Sequence, residues 1–519
     1  MIAVIRGDLL RLFRAFFIVS ILVLSAAVLS AGCLSSQTTT FPAKGDQIYA
    51  EAAGEFQASN YEVAISLYHD AYLQYQADGN LTGAKIALDR GSHALRMIGE
   101  FSLNRTEVET AINETFPGVP AERRAGWLSP DKNQVIKSDG RDLYFADTVS
   151  NIRFHNLDLM RSQTAAQGTS PFFDELKARV ATTPVLDSEP YLNPITIEGT
   201  EQLTIPIGLL PKNGTLRLWV PMPVTISSQQ NVTILSVEPA CYVKVPPDPS
   251  ADLGLVYLEV PLGDVTGDAL TIITQFRFTG VEQRFVIDPS KVGSYNRSDP
   301  EYQKYTSPGK NIVTTPEMSQ KARDIVGNET NPYLQAQKIY WYIMETLPYS
   351  HVPHYRLEAA GVPESTYVLK TGFGDCGSQS MYFAALCRSL GIPARAVGGY
   401  QLVPGYEGTH FWAEYYLPAY GWVPVDVTIA EAVDWAYNAT EEERQQWKEY
   451  YFGSLDPYRY VIQKDVDIPI IPDPGDAEMF RMAVQNPKAV CDTLDEDPEL
   501  SGLLDNWSVV VRPMGQRRT

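Results

Sequence analysis

One cysteine stands among glycines in the run Gly372-Phe373-Gly374-Asp375-Cys376-Gly377, and the segment after it has the apolar rhythm of a helix (Met381, Ala384, Ala385, Leu386, Leu390). Gly391 and Pro393 end that rhythm, as a C-terminal Gly and a following Pro end helices. Cys376 therefore belongs to the first turn of a helix reached through a flexible loop. Unpaired backbone N–H groups and the positive end of the helix dipole favour a thiolate there. Asp375, the predicted N-cap, satisfies one of those N–H groups, while its carboxylate opposes thiolate formation.

Downstream, residues 409–417 and 422–428 alternate with period two around a turn at 418–421. Phe411, Ala413, Tyr415 and Leu417 share one face with Val423, Val425 and Val427. The other face carries His410, Trp412, Glu414 and Tyr416, then Trp422, Asp426 and Thr428. His410 and Asp426 lie on the same face only if the loop holds an odd number of residues. A three-residue loop, 418–420, with Gly421 left-handed meets that condition. His410 then faces Thr428, and Asp426 is its diagonal neighbour at roughly 7–8 Å, a gap that an imidazole and a carboxylate bridge. The pattern is a Cys–His–Asp constellation, the arrangement of an activated thiol nucleophile.

The motifs GDCGSQS, CRSLGIPAR and THFWAEYYLPAYGWVPVD, with NPYLQAQKIYWYI upstream, resemble the transglutaminase-like superfamily of papain-related cysteine enzymes over residues 331–428. The resemblance implies a papain-like α+β core with Cys376 as nucleophile, His410 as base and Asp426 as the acid that orients it. Tyr349 is the candidate for the family's upstream oxyanion donor. Trp412 reads as a packing residue beside the triad and Glu414 as a solvated or supporting group. Arg388 and Arg395 match family positions and read as ion-pair residues; Cys387 reads as a small buried hydrophobe.

The 519 residues exceed what one core serves, so the chain reads as multidomain. A net charge of −20 excludes nucleic acid and an anionic membrane surface as partners. The N-terminus is an address. Arg6, Arg11 and Arg14 precede an apolar run, 15–32, ending in Ser30-Ala31-Gly32-Cys33. This is a secretory signal whose lipobox-like end makes Cys33 the lipidation candidate, or, since Ser30 departs from that pattern, an uncleaved anchor. Either way the bulk is exported and tethered to the membrane. Asn80, Asn104, Asn113, Asn213, Asn231, Asn296, Asn328, Asn438 and Asn506 each begin Asn-x-Ser/Thr, about half of the chain's asparagines, which suggests a glycosylated outer surface. Cys241 and Cys491 are available to pair in an oxidising compartment.

In chain order, residues 1–33 are the signal, 34–42 a Ser/Thr-rich linker, and 43–101 a helical module. Its segment ASNYEVAISLYHDAYLQYQ resembles a tetratricopeptide helix, followed by a further helix over 81–98. One and a half units fall short of a solenoid, so the module packs on the chain or on a protein partner. Residues 102–185 are a mixed connecting region, with a hairpin turning at Asp139-Gly140 and helices over 154–161 and 172–180. Short β runs over 190–290 predict a β-sandwich. The catalytic domain covers 300–460, where the helix from Asn331 presents Leu334, Ile339, Tyr342 and Ile343 to the core. The tail, 461–519, is predicted to hold a helix over 477–484 and to wrap back on the core.

His351 and His354 do not make a metal site: Pro353 denies them a common helix face, and no further ligands complete a tetrahedron. No glycine loop cradles a phosphate, and no cofactor is expected. The chain reads as a thiol enzyme acting on peptide or isopeptide bonds of a protein or peptide at the cell surface. Whether water or an amine resolves the thioester stays open. The alternative is an inert surface-anchored interaction protein built on the same scaffold.

Overall fold

Alanine sets how closely the first three helices approach. In the computed structural model these are Lys44–Gln57, Tyr61–Ala77 and Leu81–Glu100, and Ala52, Ala64, Ala71, Ala84, Ala87 and Ala94 are all buried between them. Tyr68, Tyr72 and Tyr75 fill the seams. The Tyr75 ring is wedged between Gly45 and Gly83, where an added Cβ would stand 2.6 and 2.8 Å from it, and its hydroxyl donates to Asp46 at 2.7 Å. The structure describes residues 43–128, 134–167, 171–182, 189–403, 406–436, 438–475, 477, 479–494 and 496–514. The predicted signal, Cys33 and the linker lie outside them. Among the described residues no helix is long and apolar enough to cross a membrane.

The connecting region opens with helix Arg105–Thr115, capped by a reciprocal Asn104–Glu107 box. The hairpin pairs Val135–Ser138 with Arg141–Tyr144, and Asp139 and Gly140 take φ of 49° and 77° at its turn, the geometry that Asp-Gly favours. The helix expected over 154–161 is broken in two, Thr148–Phe154 and Leu157–Gln167. The Asn156 amide turns back on the Ile152 carbonyl at 2.7 Å, a local bond that competes with helix continuation. Pro171–Thr182 forms the next helix.

Two antiparallel sheets follow. One runs in the order Ser454–Leu455, Ala269–Arg284, Tyr191–Pro206, Trp507–Pro513, with Gln229–Glu238 also on Ala269–Arg284. The other runs Lys488–Cys491, Thr215–Pro221, Leu255–Pro261, Val243–Val245. Each takes a strand from the tail. The helix expected over 477–484 does not form in its described residues. There the Val484 N–H donates to Gln463 Oε1 (2.9 Å) and the Met482 carbonyl accepts from Asp467 N–H (3.2 Å), so extended chain is pinned while Met479, Met482 and Val484 are buried. Cys241 and Cys491 are both unpaired. Cys241 is exposed, and buried Cys491 has its sulfur 3.2 Å from Thr493 Oγ1.

The last sheet orders Gly421–Val425, Tyr406–Leu417, Ala394–Val403 and Arg459–Gln463, all antiparallel. Gly399 permits the last pairing, since a Cβ there would lie 1.8 Å from the Tyr460 carbonyl oxygen. Helix Cys376–Ser389 packs on this sheet and is buried from Gly377 to Arg388. Helix Pro332–Thr346, capped by Asn331, buries Ala336, Ile339, Tyr340 and Ile343; Leu334 and Tyr342, expected inside, are only half-buried.

Glu201 is fully buried in the strand Tyr191–Pro206, accepting from Tyr460 Oη (2.9 Å) and Thr274 Oγ1 (3.0 Å). Burial outweighs both donors and pushes its carboxyl up to about 8. A folded pKa above the unfolded one gives a contribution that is full below the unfolded value and is lost as pH rises through about 8. Thermal melts of Glu201→Gln are therefore expected to lose less between pH 5 and pH 9 than the parent, by about 2 °C or more. Parallel pH dependences would contradict this.

Candidate active site

Helix Glu364–Thr371 ends on Gly372 in the left-handed region (φ 75°), and the chain turns through Gly374 into Cys376, the first residue of its helix. Gly374 cannot carry a side chain: a Cβ would stand 2.4 Å from Ser378 Oγ. Its carbonyl accepts from Ser350 N–H (2.9 Å) and Gln379 Nε2 (3.0 Å), fixing the loop. Asp375 caps the helix, with Oδ1 accepting from Ser378 N–H at 2.9 Å. Burial holds the Cys376 thiol well above its usual value, and the Asp375 and Asp426 carboxylates add to the rise. The backbone N–H groups of Phe411 and Gly377 reach the sulfur and oppose it.

His410 sits in strand Tyr406–Leu417 opposite Gly399. Its Nε2 lies 2.9 Å from Asp426 Oδ2. A carboxylate only accepts, so Nε2 carries the hydrogen, and in the neutral ring Nδ1 is the acceptor. The three-residue loop is as expected, with Leu417 opposite Gly421 at φ 80°. Asp426, however, is not a diagonal neighbour in the ladder, and Thr428 does not face His410 across strands. The strand stops at Val425, and Asp426 caps helix Val427–Ala432, its Oδ1 accepting from Ile429 N–H at 3.0 Å.

The residue that sequence reasoning missed is Arg459, which comes from the edge strand Arg459–Gln463. Its Nη1 binds Asp426 Oδ2, and its Nη2 and Nε bind Asp456 Oδ2 at 2.6 and 3.2 Å. Burial pushes the Asp426 carboxyl up, but His410 and Arg459 outweigh it and hold the acid well below the usual range. Arg459 lies 5.2 Å from the Trp412 ring centroid, and Trp412 stacks on His410 with centroids 6.1 Å apart. Trp412 thus lies against both the imidazole and the guanidinium. No spacing pattern links Arg459 to the hairpin, because long-range strand pairing brings it there.

Glu414 is not solvated. It is fully buried and takes Arg395 at 2.8 and 2.6 Å, the pair directly opposite it in the ladder. Arg388 pairs with Asp465 at 2.7 Å. Tyr349 forms a bridge with Gly374, and after burial the neighbouring Cys376 sulfur is the largest influence raising its hydroxyl. The connecting region seats this loop. Asn151 Oδ1 accepts from His351 N–H (2.7 Å), Gln134 Nε2 donates to the His351 carbonyl (2.9 Å), and Phe154 packs on Tyr349 with centroids 4.7 Å apart. Among the described residues no group of His, Cys, Asp and Glu could hold a metal ion.

The family model of the transglutaminase-like superfamily matches residues 319–427. Those residues form a transglutaminase-like domain. A protein-glutamine gamma-glutamyltransferase of Pseudomonas aeruginosa is 32% identical over 114 residues, 20% of this chain and 17% of that protein. An uncharacterized protein of Haemophilus influenzae is 26% identical over 176 residues, 29% of this chain and 47% of that protein. The matches thus span less than half the length of these curated relatives. Among solved structures, the periplasmic domain of TgpA from Pseudomonas aeruginosa is 15% identical, covering 51% of this chain and 99% of its own, with a TM-score of 0.25. A candidate cysteine protease from Cytophaga hutchinsonii is 14% identical over 63% of this chain and 94% of its own, with a TM-score of 0.39. Arg459 lies outside the matched part of the transglutaminase-like domain.

Arg459→Met leaves two buried carboxylates, Asp426 and Asp456, without their cation. Denaturant unfolding is expected to show a loss of about 3 kcal/mol, the cost of breaking a buried pair from one side. A loss below about 1 kcal/mol, the scale of an exposed pair, would show the guanidinium to be dispensable.

Proposed function

We propose that this chain is an extracytoplasmic thiol enzyme acting on peptide or isopeptide amide bonds, with Cys376 as nucleophile, His410 as base and Asp426 as orienting acid. The observation that carries the reading is the His410 Nε2–Asp426 bond of 2.9 Å, which leaves Nδ1 of a neutral ring as the acceptor, while the backbone N–H of the next residue, Phe411, reaches the sulfur of Cys376 at its helix N-terminus. Nδ1 takes the Sγ proton, and the thiolate adds to the amide carbonyl carbon. The oxyanion accepts from the Cys376 backbone N–H and, in this proposal, from the Tyr349 hydroxyl. Collapse breaks the C–N bond, and the leaving amine takes the proton back from His410. An incoming water or amine, deprotonated by His410, then cleaves the thioester and restores the thiol. Hydrolysis is the proposed outcome, from the abundance of water at a cell surface. The gamma-glutamyltransferase among the relatives supports the amine as the competing acceptor.

Export is supported by the basic and apolar N-terminus, and by the exposure of all nine sequon asparagines. Tethering through Cys33 or an uncleaved anchor, glycosylation, a tetratricopeptide-like role for the three helices in docking a protein, and a sandwich arrangement of the two sheets belong to the same proposal. The inert-scaffold reading draws on one observation, that burial and Asp375 hold the Cys376 thiol high.

Iodoacetamide labelling followed peptide by peptide separates the readings. Cys376 is expected to label near pH 6 faster than free cysteine, and His410→Ala to slow it at neutral pH. Labelling of Cys376 no faster than that of buried Cys387 would support the scaffold. Against peptide, glutamine and isopeptide substrates, Cys376→Ala is expected to be inactive and Asp426→Asn to lower kcat by about 10²–10⁴-fold. Full turnover by either variant would end the assignment.

A further inference from the structure

The carboxylate beside the nucleophile has a partner of its own. Asp375 Oδ1 is occupied by Ser378, and Oδ2 lies 2.7 Å from Nε2 of His354, the first residue of helix His354–Ala359. The other ring nitrogen, Nδ1, lies 2.8 Å from Glu364 Oε1. A neutral imidazole offers one N–H and one lone pair, and ionised carboxylates only accept. With a carboxylate oxygen at each nitrogen, both bonds form when the ring is an imidazolium. The second oxygen of Glu364 is buried with no hydrogen-bond partner among the described residues; burial raises this carboxyl and the His354 ring opposes the rise.

We propose that His354 is a positioning residue for Cys376: as an imidazolium clamped between Glu364 and Asp375, it cancels the charge that the N-cap carboxylate sets against the thiolate. This rests on the reading of Cys376 as the nucleophile. Burial works against the cation, but the two carboxylates outweigh it and hold the His354 ring well above the ordinary histidine range. In return, Asp375 is drawn below its usual value despite burial. Other charged groups near the ring are Glu100, Glu358 and Lys310. Glu100, at the end of Leu81–Glu100, accepts from Tyr355 and Arg356 N–H at 3.0 and 2.8 Å, and burial pushes it up to about 7. Glu358, on the same helix as His354, is tied to Lys310 at 3.1 Å and adds to the negative field on Glu364. The Phe480 ring, 6.0 Å away, closes the remaining side without charge.

The sequence pair His351/His354 thus has one member in the electrostatics of the nucleophile and the other in the seating of the Tyr349 loop.

The test is the pH profile of Cys376 alkylation, which reads the thiol and not turnover. In His354→Gln the Asp375 charge is uncancelled, and the midpoint of the acid limb is expected to rise by about one pH unit. Adding Asp375→Asn, which keeps the cap oxygen but removes the charge, is expected to return the midpoint toward that of the parent. A His354→Gln midpoint equal to the parent's overturns the proposal, and so does a rise that persists in the double variant, which would mark a merely structural role. Should His354→Gln not fold, ¹⁵N NMR of the histidine rings in Cys376→Ala protein decides. Both His354 nitrogens are expected to be protonated at pH 7, and a neutral ring there overturns the proposal. Failure of the parent protein to label at Cys376 faster than free cysteine would instead sink the nucleophile reading itself.

Discussion

One carboxylate ties the elements of the site together. Asp426 ends a strand, caps the helix that follows, and receives His410 from the central strand and Arg459 from the edge strand. Taking a carboxylate out of water costs several kcal/mol unless its lone pairs are satisfied, and here they are. Oδ1 goes to a backbone N–H of the new helix, so His410 and Arg459 meet at Oδ2. His410 is therefore oriented by an acid that is itself fixed in position from three sides. Trp412 adds the fourth constraint by lying against both the imidazole and the guanidinium.

Local chemistry made part of this legible. Gly372, Asp375 and the apolar rhythm after Cys376 are a stop, a cap and a helix, all short-range, and the three-residue loop before Gly421 follows from parity alone. The Val427-Thr428-Ile429 run is rich in β-branched residues and reads as strand. It folds as helix because Asp426, the very residue expected in the ladder, caps it. Glu414 misleads for another reason. Alternation implies a solvated face only where one side of a sheet is open, and the strand Tyr406–Leu417 is covered on both. Arg459 and the two tail strands reach their places through pairings far apart in sequence, for which a single chain offers no short-range signal. The Glu364–His354–Asp375 chain of hydrogen bonds joins two helices and a cap that no spacing rule relates.

Long-range contacts also run across the sequence-level boundaries. Arg96 on the third helix binds Asp497 of the tail at 2.5 Å, while Glu499 of the tail takes Lys488 and the Tyr355 hydroxyl at 2.9 and 3.0 Å. Tyr355 in turn gives its backbone N–H to Glu100, one residue after His354. On the other side, Arg161 and Thr164 reach Asp434 and the Trp435 carbonyl, and Phe154 packs on Trp435 as well as on Tyr349. The segments before and after the transglutaminase-like domain are therefore the supports of the loops that flank Cys376. The stretch 319–427 contains the sulfur, the imidazole and the acid, but not the arginine that balances the acid or the glutamate that steadies the His354 helix. Its chemistry is encoded locally and its electrostatics are completed from outside, so the physical unit of the site is larger than the stretch that carries the family's motifs.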